Sequence, residues 1–362
     1  MNAPHPASLE LRGVHASIER EEVLHGIDID VLPGELCFVL GAGGAGKSAL
    51  LRCIAGIDTL TAGHVCIDGR NLGGVAAHRR NIALLPQSYP LWPNRNVAEN
   101  VAFAPRQHGL LRGAVIDRVE AELGFVGLQE FADHLPAQLT AAQRQRVALA
   151  RTLAADSPIC LLDEPFGEQP ARLRERLLQL LRRRQQHGGQ TMLLATRDGD
   201  CALRFADRIV LLHNGELQQA GAPVELYDNP ANRFVAEYFG NVNLIDGEIE
   251  LVGEQAMFRG RNGIVIPLFD DAPVRPREAT AMFRPYDLRI VGGKRVPTAG
   301  QIRLSGRIEL IEFLGTDLRY GVDLAGTLVW MDGARRDNEP LLNVGDRVAL
   351  ALEPTHIRIL ER

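Results

Sequence analysis

An α/β fold built on a parallel sheet, followed by a small all-β domain, is the architecture this chain predicts. Three observations carry it: the loop Gly41-Ala42-Gly43-Gly44-Ala45-Gly46-Lys47-Ser48, the apolar run Ile159-Cys160-Leu161-Leu162 closing on Asp163-Glu164, and a change to short alternating segments beyond about Phe239.

Along the chain, Leu9 to Val14 and Gly26 to Val31 alternate as half-buried strands do, and Pro33-Gly34-Glu35 turns into an apolar strand from Leu36 to Leu40. The glycine-rich loop follows, with a helix opening at Lys47-Ser48-Ala49-Leu50-Leu51. Ala62 to Gly69 predicts a short strand with a turn, and Ile82 to Pro86 a buried strand closing at Gln87. From Val97 to about Ala155 the period becomes helical, clearest at Ala114 to Gly124 and Arg144 to Leu153. Alternation then resumes: a strand at 159–163, a helix at 171–187, the strand Thr191 to Ala195, a helix at 199–206 and a strand from Ile209 to Leu212. Such alternation implies a parallel α/β core. Asp228-Asn229-Pro230 signals a turn starting its last helix, which puts the boundary near Gly240: a first domain over 1–240 with a helical insertion at about 88–155, and a second over 241–362. In that second part Ala281 to Arg284, Ser305 to Phe313, Leu318 to Leu324, Thr327 to Met331 and Arg347 to Leu352 predict strands of a small antiparallel barrel or sandwich.

Bulk composition agrees with a globular protein of two or three domains: 362 residues, 46% hydrophobic and 23% charged. No window approaches the roughly eighteen apolar residues of a membrane span. Met1-Asn2-Ala3-Pro4-His5-Pro6 lacks the basic and apolar regions of an export signal, so the cytosol is the expected compartment. Cys37, Cys53, Cys66, Cys160 and Cys201 lie mostly in apolar runs without metal-ligand spacing, which favours buried free thiols. A net charge of -5 argues against a general nucleic-acid binder. The Arg-rich stretch, with Arg172, Arg174, Arg176, Arg182, Arg183 and Arg184, is best taken as a solvated helix face.

The chemistry is that of a nucleoside triphosphate site. Successive backbone NH groups and a helix N-terminus point at phosphates, and glycine tolerates the turns this demands. Lys47 is expected to neutralise the β- and γ-phosphates, Ser48 to ligate Mg²⁺, and Asp163 to hold that metal through water. Glu164 is then placed to polarise a water. His15, His78 and His134 show no ligand spacing and are expected at the surface or in packing.

At this point the chain resembles the ATP-binding subunits of ABC transporters, strongly to about Gly240 and more loosely beyond. Gln87 matches that family's Q-loop, Leu139 to Arg151 sits where the LSGGQ signature helix belongs, and Asp163-Glu164-Pro165-Phe166 resembles the DEPF run. Gly221 to Tyr227 and Pro230 to Ala236 are similar to the end of the nucleotide-binding domain in importers with an appended regulatory, TOBE/OB-like barrel. The resemblance implies a P-loop NTPase core with a helical insertion and an OB-like C-terminal barrel. It implies a homodimer that sandwiches ATP between the loop Gly41 to Ser48, with Ala49 after it, and the signature residues Thr140, Ala141, Ala142 and Gln143 of the other copy. It also implies docking beneath integral membrane permease subunits on the cytoplasmic face of the inner membrane, with a solute-binding protein reached only indirectly. Gln87 would sense Mg²⁺ and the attacking water and couple them to the helical insertion. Trp92-Pro93 falls either in the docking groove or in ordinary packing. A polyamine, iron, organophosphonate or related small solute is the implied cargo.

Several positions depart from the pattern. The signature glycines are Ala141 and Ala142, which suits a phosphate-facing helix N-terminus only if neither needs positive φ. Gly167-Glu168-Gln169-Pro170 replaces Ser-Ala-Leu-Asp, removing an acidic residue that communicates across the dimer. Arg197 stands where the family has histidine; it either holds the γ-phosphate as a fixed cation or points to solvent. Ile18 replaces the aromatic ring that stacks on adenine, and Ala49 a common hydroxyl residue, both weakening nucleotide affinity. These departures keep a second expectation open beside the importer ATPase: a weakly hydrolysing or non-hydrolysing ATP-binding module that regulates a membrane complex.

Overall fold

The hairpin that opens the chain is longer than its alternation suggests. In the computed structural model, which describes residues 6–253, 255–261, 263–268, 277–291, 300–334 and 342–361, β1 (Leu9–Ile18) pairs antiparallel with β2 (Glu21–Val31). Glu19 and Arg20 join them, both at positive φ (50° and 75°) as a primed two-residue hairpin turn requires. No Asn-Gly pair marks that turn, which is why the alternation locates β2 only from Gly26. The segment Met1 to His5, on which the expectation about export rests, lies outside the described residues.

After β3 (Leu36–Leu40) and α1 (Lys47–Ala55), β4 (Leu60–Ile67) returns to pair with β1, and β5 (Arg70–Asn71) completes a four-stranded sheet of order β2-β1-β4-β5. The second sheet is the expected parallel one. β3 is flanked by β8 (Thr191–Thr196) and β9 (Arg208–His213), and β7 (Ile159–Asp163) and β6 (Ile82–Leu85) follow β8 in parallel register. β10 (Glu216–Gly221) adds antiparallel to β9 at the edge, giving the order β10-β9-β3-β8-β7-β6. β3 and β7 are buried at every position, the continuous apolar pattern of strands covered on both faces.

Helix α1 lies between the two sheets. One apolar cluster joins its Leu50, Leu51 and Ile54 to Leu9, Leu11 and Ile27 of the first sheet and to Val39, Leu161 and Val210 of the second. The helical segment is α2 (Val97–Gln107), α3 (Arg112–Val126) and α4 (Ala141–Ala154), each packed on the other two. Asn96 starts α2 with a full capping box through Glu99. α5 (Ala171–Gly188) and α6 (Gly199–Phe205) cover the parallel sheet. On α5 the arginines are partly committed to ion pairs: Arg182 with Asp207, Arg184 with Glu122 at 2.6 Å and Arg174 with Asp198 at 3.8 Å.

By contact density the chain divides into Met1–Leu226 and Tyr227–Arg362. The division falls inside the short helix α7 (Pro223–Asp228), ahead of α8 (Arg233–Tyr238), which is capped by Asn232. In the second unit, β11 (Asn243–Val252), β12 (Gln255–Gly260), β13 (Val265–Pro267), β14 (Arg277–Phe283) and β20 (Arg358–Glu361) form an antiparallel sheet of order β13-β12-β11-β14-β20. β15 (Arg289–Val291), β16 (Ile302–Phe313), β17 (Asp317–Leu324), β18 (Thr327–Ala334) and β19 (Arg347–Leu352) form a second sheet of order β15-β19-β16-β17-β18. A single core fills the space between them, including Ile249, Phe258 and Phe283 from the first and Ile308, Val322 and Leu350 from the second. The all-β architecture anticipated from the short alternating segments is therefore present.

Candidate functional site

All the polar residues singled out around the phosphate loop lie at the carboxyl ends of the parallel strands, where open α/β sheets bind ligands. The loop leaves the end of β3 and enters α1 through Gly46, whose φ of 97° at the helix N-cap suits glycine and would strain any other residue. An added Cβ there would fall 2.8 Å from Leu24 Cδ2. The first turn of α1 leaves its NH groups pointing outward, the arrangement that receives an anion.

Lys47 is 7% exposed, and its Nζ donates to the carbonyls of Gly41 at 2.7 Å and Ala42 at 2.9 Å. Burial pulls its pKa down, opposed by the nearby carboxylates of Glu164 and Asp163. Asp163 ends β7 at 4% exposed; it accepts hydrogen bonds from the Ser48 hydroxyl and the Gln87 backbone NH, yet its Oδ1 has no partner. Burial raises its pKa, against the hydrogen bond from Ser48 and the pull of Lys47 and Arg52. Among the described residues no group of three or more His, Cys, Asp or Glu converges as a metal cage. The donor set of one hydroxyl and one orphaned carboxylate oxygen suits a small hard cation that arrives with phosphate oxygens and water.

Glu164 follows at the end of the same strand, with φ of 47° and its NH bonded to Ala195 O at 2.9 Å. Burial raises its carboxyl pKa, against the opposing pull of Lys47, a hydrogen bond from the Thr196 hydroxyl, and Arg197. Arg197, after β8, has its Nε 3.8 Å from Glu164 Oε1 and a side chain that is 64% exposed. Its guanidinium lies over the loop, with Nη2 3.4 Å from where a Cβ on Gly43 would stand. The arginine thus stands beside the loop and Glu164 while remaining largely open to solvent.

Gly43 to Ala49, Gln87, Asp163, Glu164 and Arg197 line one cavity of about 220 Å³, with Ile18 and Val23 as its apolar wall. Ser48, Arg52, Gln87 and Asp163 also line an adjoining space of about 520 Å³. The aliphatic Ile18 thus occupies the cavity wall.

Thr140 to Gln143 do not line this cavity. They form the start of α4, with Thr140 as N-cap and a capping box in which Gln143 NH donates to Thr140 Oγ1 at 3.2 Å and Thr140 NH to Gln143 Oε1 at 2.8 Å. Ala141 and Ala142 are helical and neither has positive φ, so alanine is unstrained there. Thr140 and Ala141 are exposed. Trp92 is half-buried, stacked on Phe103 at 4.3 Å and flanked by the guanidinium groups of Arg95 and, from α4, Arg151.

Sequence reasoning passed over three residues beside this site: Tyr89, Gln145 and Gln169. Each bonds to or near the backbone of Glu164 rather than facing the cavity. The available signal was Gln145, a long amide on the largely apolar buried face of α4.

The family described as "ABC transporter" matches residues 24–167, and the one described as "TOBE domain" matches residues 281–360. The chain is 34% identical over 364 residues to a spermidine/putrescine import ATP-binding protein of Rubrobacter xylanophilus, covering 98% of this chain and 94% of that protein. It is 34% identical to a putrescine transport ATP-binding protein of Escherichia coli strain K12, with 95% and 93% of the two chains covered. It is 39% identical over 286 residues to an Fe(3+) ions import ATP-binding protein of Streptomyces coelicolor, covering 79% and 80%. Among solved structures, the dimeric post-hydrolysis state of the ATP-binding cassette MJ0796 with ADP and Pi superposes with a TM-score of 0.56 at 29% identity. That superposition covers 59% of this chain and 98% of the other.

Proposed function

The chain belongs to the ABC transporter ATP-binding subunits of the importer type that carry a C-terminal TOBE domain, and from that membership we propose how its own residues turn over MgATP and which assembly it drives. The observation that carries the proposal is the convergence of Lys47, Ser48, Gln87, Asp163, Glu164 and Arg197 on one cavity, with Asp163 Oδ1 buried and unpartnered inside it.

Gly41 to Ser48 cradles the β- and γ-phosphates through backbone NH groups, and Lys47 exchanges its loop carbonyls for phosphate oxygens. Ser48 and Asp163, with Gln87 beside them, are the residues that would hold Mg²⁺, which would supply charge neutralisation on the phosphates. Glu164 takes a proton from the water that attacks the γ-phosphorus, and the bond to the ADP oxygen breaks as the new P–O bond forms. The raised pKa of Glu164 brings it nearer to the working pH of a general base. Arg197 holds the γ-phosphate as a permanent cation and cannot shuttle a proton. Thr140, Ala141, Ala142 and Gln143 complete the site from a second copy of the chain. The exposure of Thr140 and Ala141 and the dimeric state of the MJ0796 cassette support this reading.

In the assembled importer the helical segment docks on integral membrane permease subunits at the cytoplasmic face of the inner membrane, and a solute-binding protein is reached only through them. No helix among the described residues is long and apolar enough to cross a membrane. The cargo is a small cationic solute, a polyamine or ferric iron, in keeping with the names of the relatives.

Steady-state phosphate release from the full chain tests the site. Glu164→Gln should remove release while keeping MgATP binding, Lys47→Ala should remove binding, and Arg197→Ala should weaken both. Equal release from Glu164→Gln and its parent would refute the general-base assignment.

A further inference from the structure

Two residues at the edge of the site occupy the left-handed region of backbone space, Glu164 and Tyr89, each at φ 47°. That conformation is costly for any residue with a side chain and persists only where surrounding contacts hold it. The two are tied together: Tyr89 Oη donates to the Glu164 carbonyl at 3.0 Å. A second donor reaches the same oxygen, Gln145 Nε2 at 3.0 Å, and Gln145 also hydrogen-bonds the Tyr89 hydroxyl.

Gln145 is fully buried on α4, so each of its polar atoms needs a partner. Its Oε1 accepts from Gln169 Nε2 at 2.7 Å and from Glu168 NH at 3.2 Å. Gln169 Nε2 donates in turn to the carbonyl of Ala142, at 2.9 Å, in the first turn of α4. The chain of bonds therefore starts two residues after Gln87, passes through the backbone of Glu164 and ends at the helix turn that carries Ala141 and Ala142. Gln169 belongs to the segment Gly167 to Pro170, where this chain departs from its family.

We propose that Tyr89, Gln145 and Gln169 are positioning residues, a polar latch on the Glu164 carbonyl that sets the direction of the base and ties it to the segment after Gln87 and to the start of α4. The inference deepens the proposed function and rests on Glu164 as the base. The physical reason is that the peptide plane and the side chain of Glu164 rotate about one Cα. Besides the local Gly167 NH at 3.3 Å, two side-chain donors from two different segments hold this carbonyl, and so set the backbone from which the carboxylate projects. A shift of the Tyr89 segment removes one donor and frees the strained residue to relax toward ordinary backbone geometry, which misdirects the carboxylate. Hydrolysis thereby becomes sensitive to movement of a segment that need not touch nucleotide.

Tyr89→Phe removes only the hydroxyl, and Gln169→Leu removes only the amide bridge. In the full chain, steady-state phosphate release should show Tyr89→Phe with kcat lowered about tenfold, or ~1.4 kcal/mol on the barrier, and KM for MgATP changed less than about twofold. Gln169→Leu should shift kcat in the same direction by a smaller factor. In a Glu164→Gln background, Tyr89→Phe should leave the residual release unchanged, since no base remains to be aimed. An unaltered kcat, a KM rising in step with the loss, or a loss that persists without Glu164 overturns the latch while leaving the base assignment intact. Release from the parent equal to that of Glu164→Gln overturns the base assignment, and the latch with it. Should Tyr89→Phe lose its native melting transition, Gln169→Leu decides by the same comparisons.

Discussion

Removing Arg184 should destabilise the first unit by about 3 kcal/mol, in a manner that depends on pH. Glu122 on α3 is 2% exposed, with Oε2 2.6 Å from Arg184 Nη1 on α5; its other cation, Arg118, is 4.0 Å away and bonded to Asp156 at 2.9 Å. Even so accompanied, burial holds the Glu122 pKa above the ordinary 4.5. Arg184→Leu leaves the carboxylate buried with one distant partner. Two unit charges 4 Å apart interact by about 4 kcal/mol at an effective dielectric near 20, and breaking a buried pair from one side costs about 3–5 kcal/mol. Arg118 recovers a part, which gives the figure of about 3. The sign with pH follows from the raised pKa: ionising Glu122 is harder in the folded than in the unfolded chain. The penalty is therefore absent below the unfolded value of 4.5 and grows as pH rises through the window up to the folded value. Arg184→Leu lifts the folded value further, so its deficit should be full near pH 8 and shrink toward pH 5. Urea unfolding followed by Trp92 fluorescence in a Trp330→Phe background reads the first unit alone, since these are the two tryptophans of the chain. The double variant Glu122→Leu/Arg184→Leu should recover most of the loss. A deficit below about 1 kcal/mol at pH 8, or one that does not change with pH, would refute the electrostatic account.

The acid limb of kcat/KM against pH should lie above the ordinary glutamate value of 4.5, because burial raises Glu164 in the free protein and a general base works only when deprotonated; a limb at or below 4.5 contradicts the burial argument. Gly63→Ala should cost at least about 2 kcal/mol by the same urea assay. Gly63 has φ of 78°, and an added Cβ would overlap the Gly13 carbonyl across the β1–β4 pair. Stability within about 0.5 kcal/mol of the parent would show that this sheet relaxes freely.

The parallel core was legible because its strands are continuous apolar runs and its ligand end is punctuated by glycine and acid. In the second unit, strands such as β16 and β17 could be anticipated, whereas β11 could not. The inward-facing positions of β11 include Gly247, which has the Phe258 ring against it, and a glycine at a core position is indistinguishable from a turn in the sequence. At the site, Lys47, Ser48, Asp163 and Glu164 could be named because their side chains themselves line the cavity. Tyr89, Gln145 and Gln169 could not, since they act on a carbonyl, and a carbonyl leaves no trace in residue identity. Residue type alone left open whether the backbone before α4 needs positive φ at Ala141 and Ala142; both are helical, where alanine is unstrained.

The seat of α1 between two sheets has a consequence for how the protein answers its ligand. The helix that presents Lys47 and Ser48 shares one apolar cluster with β1 and β2 on one side and with β3, β7 and β9 on the other. Occupancy of the loop therefore restrains both layers through the same few side chains, and amide protons of β1 and β4 at the Leu9–Ile67 end of the four-stranded sheet, away from the cavity wall formed by Ile18 and Val23, should exchange with deuterium more slowly once nucleotide is present.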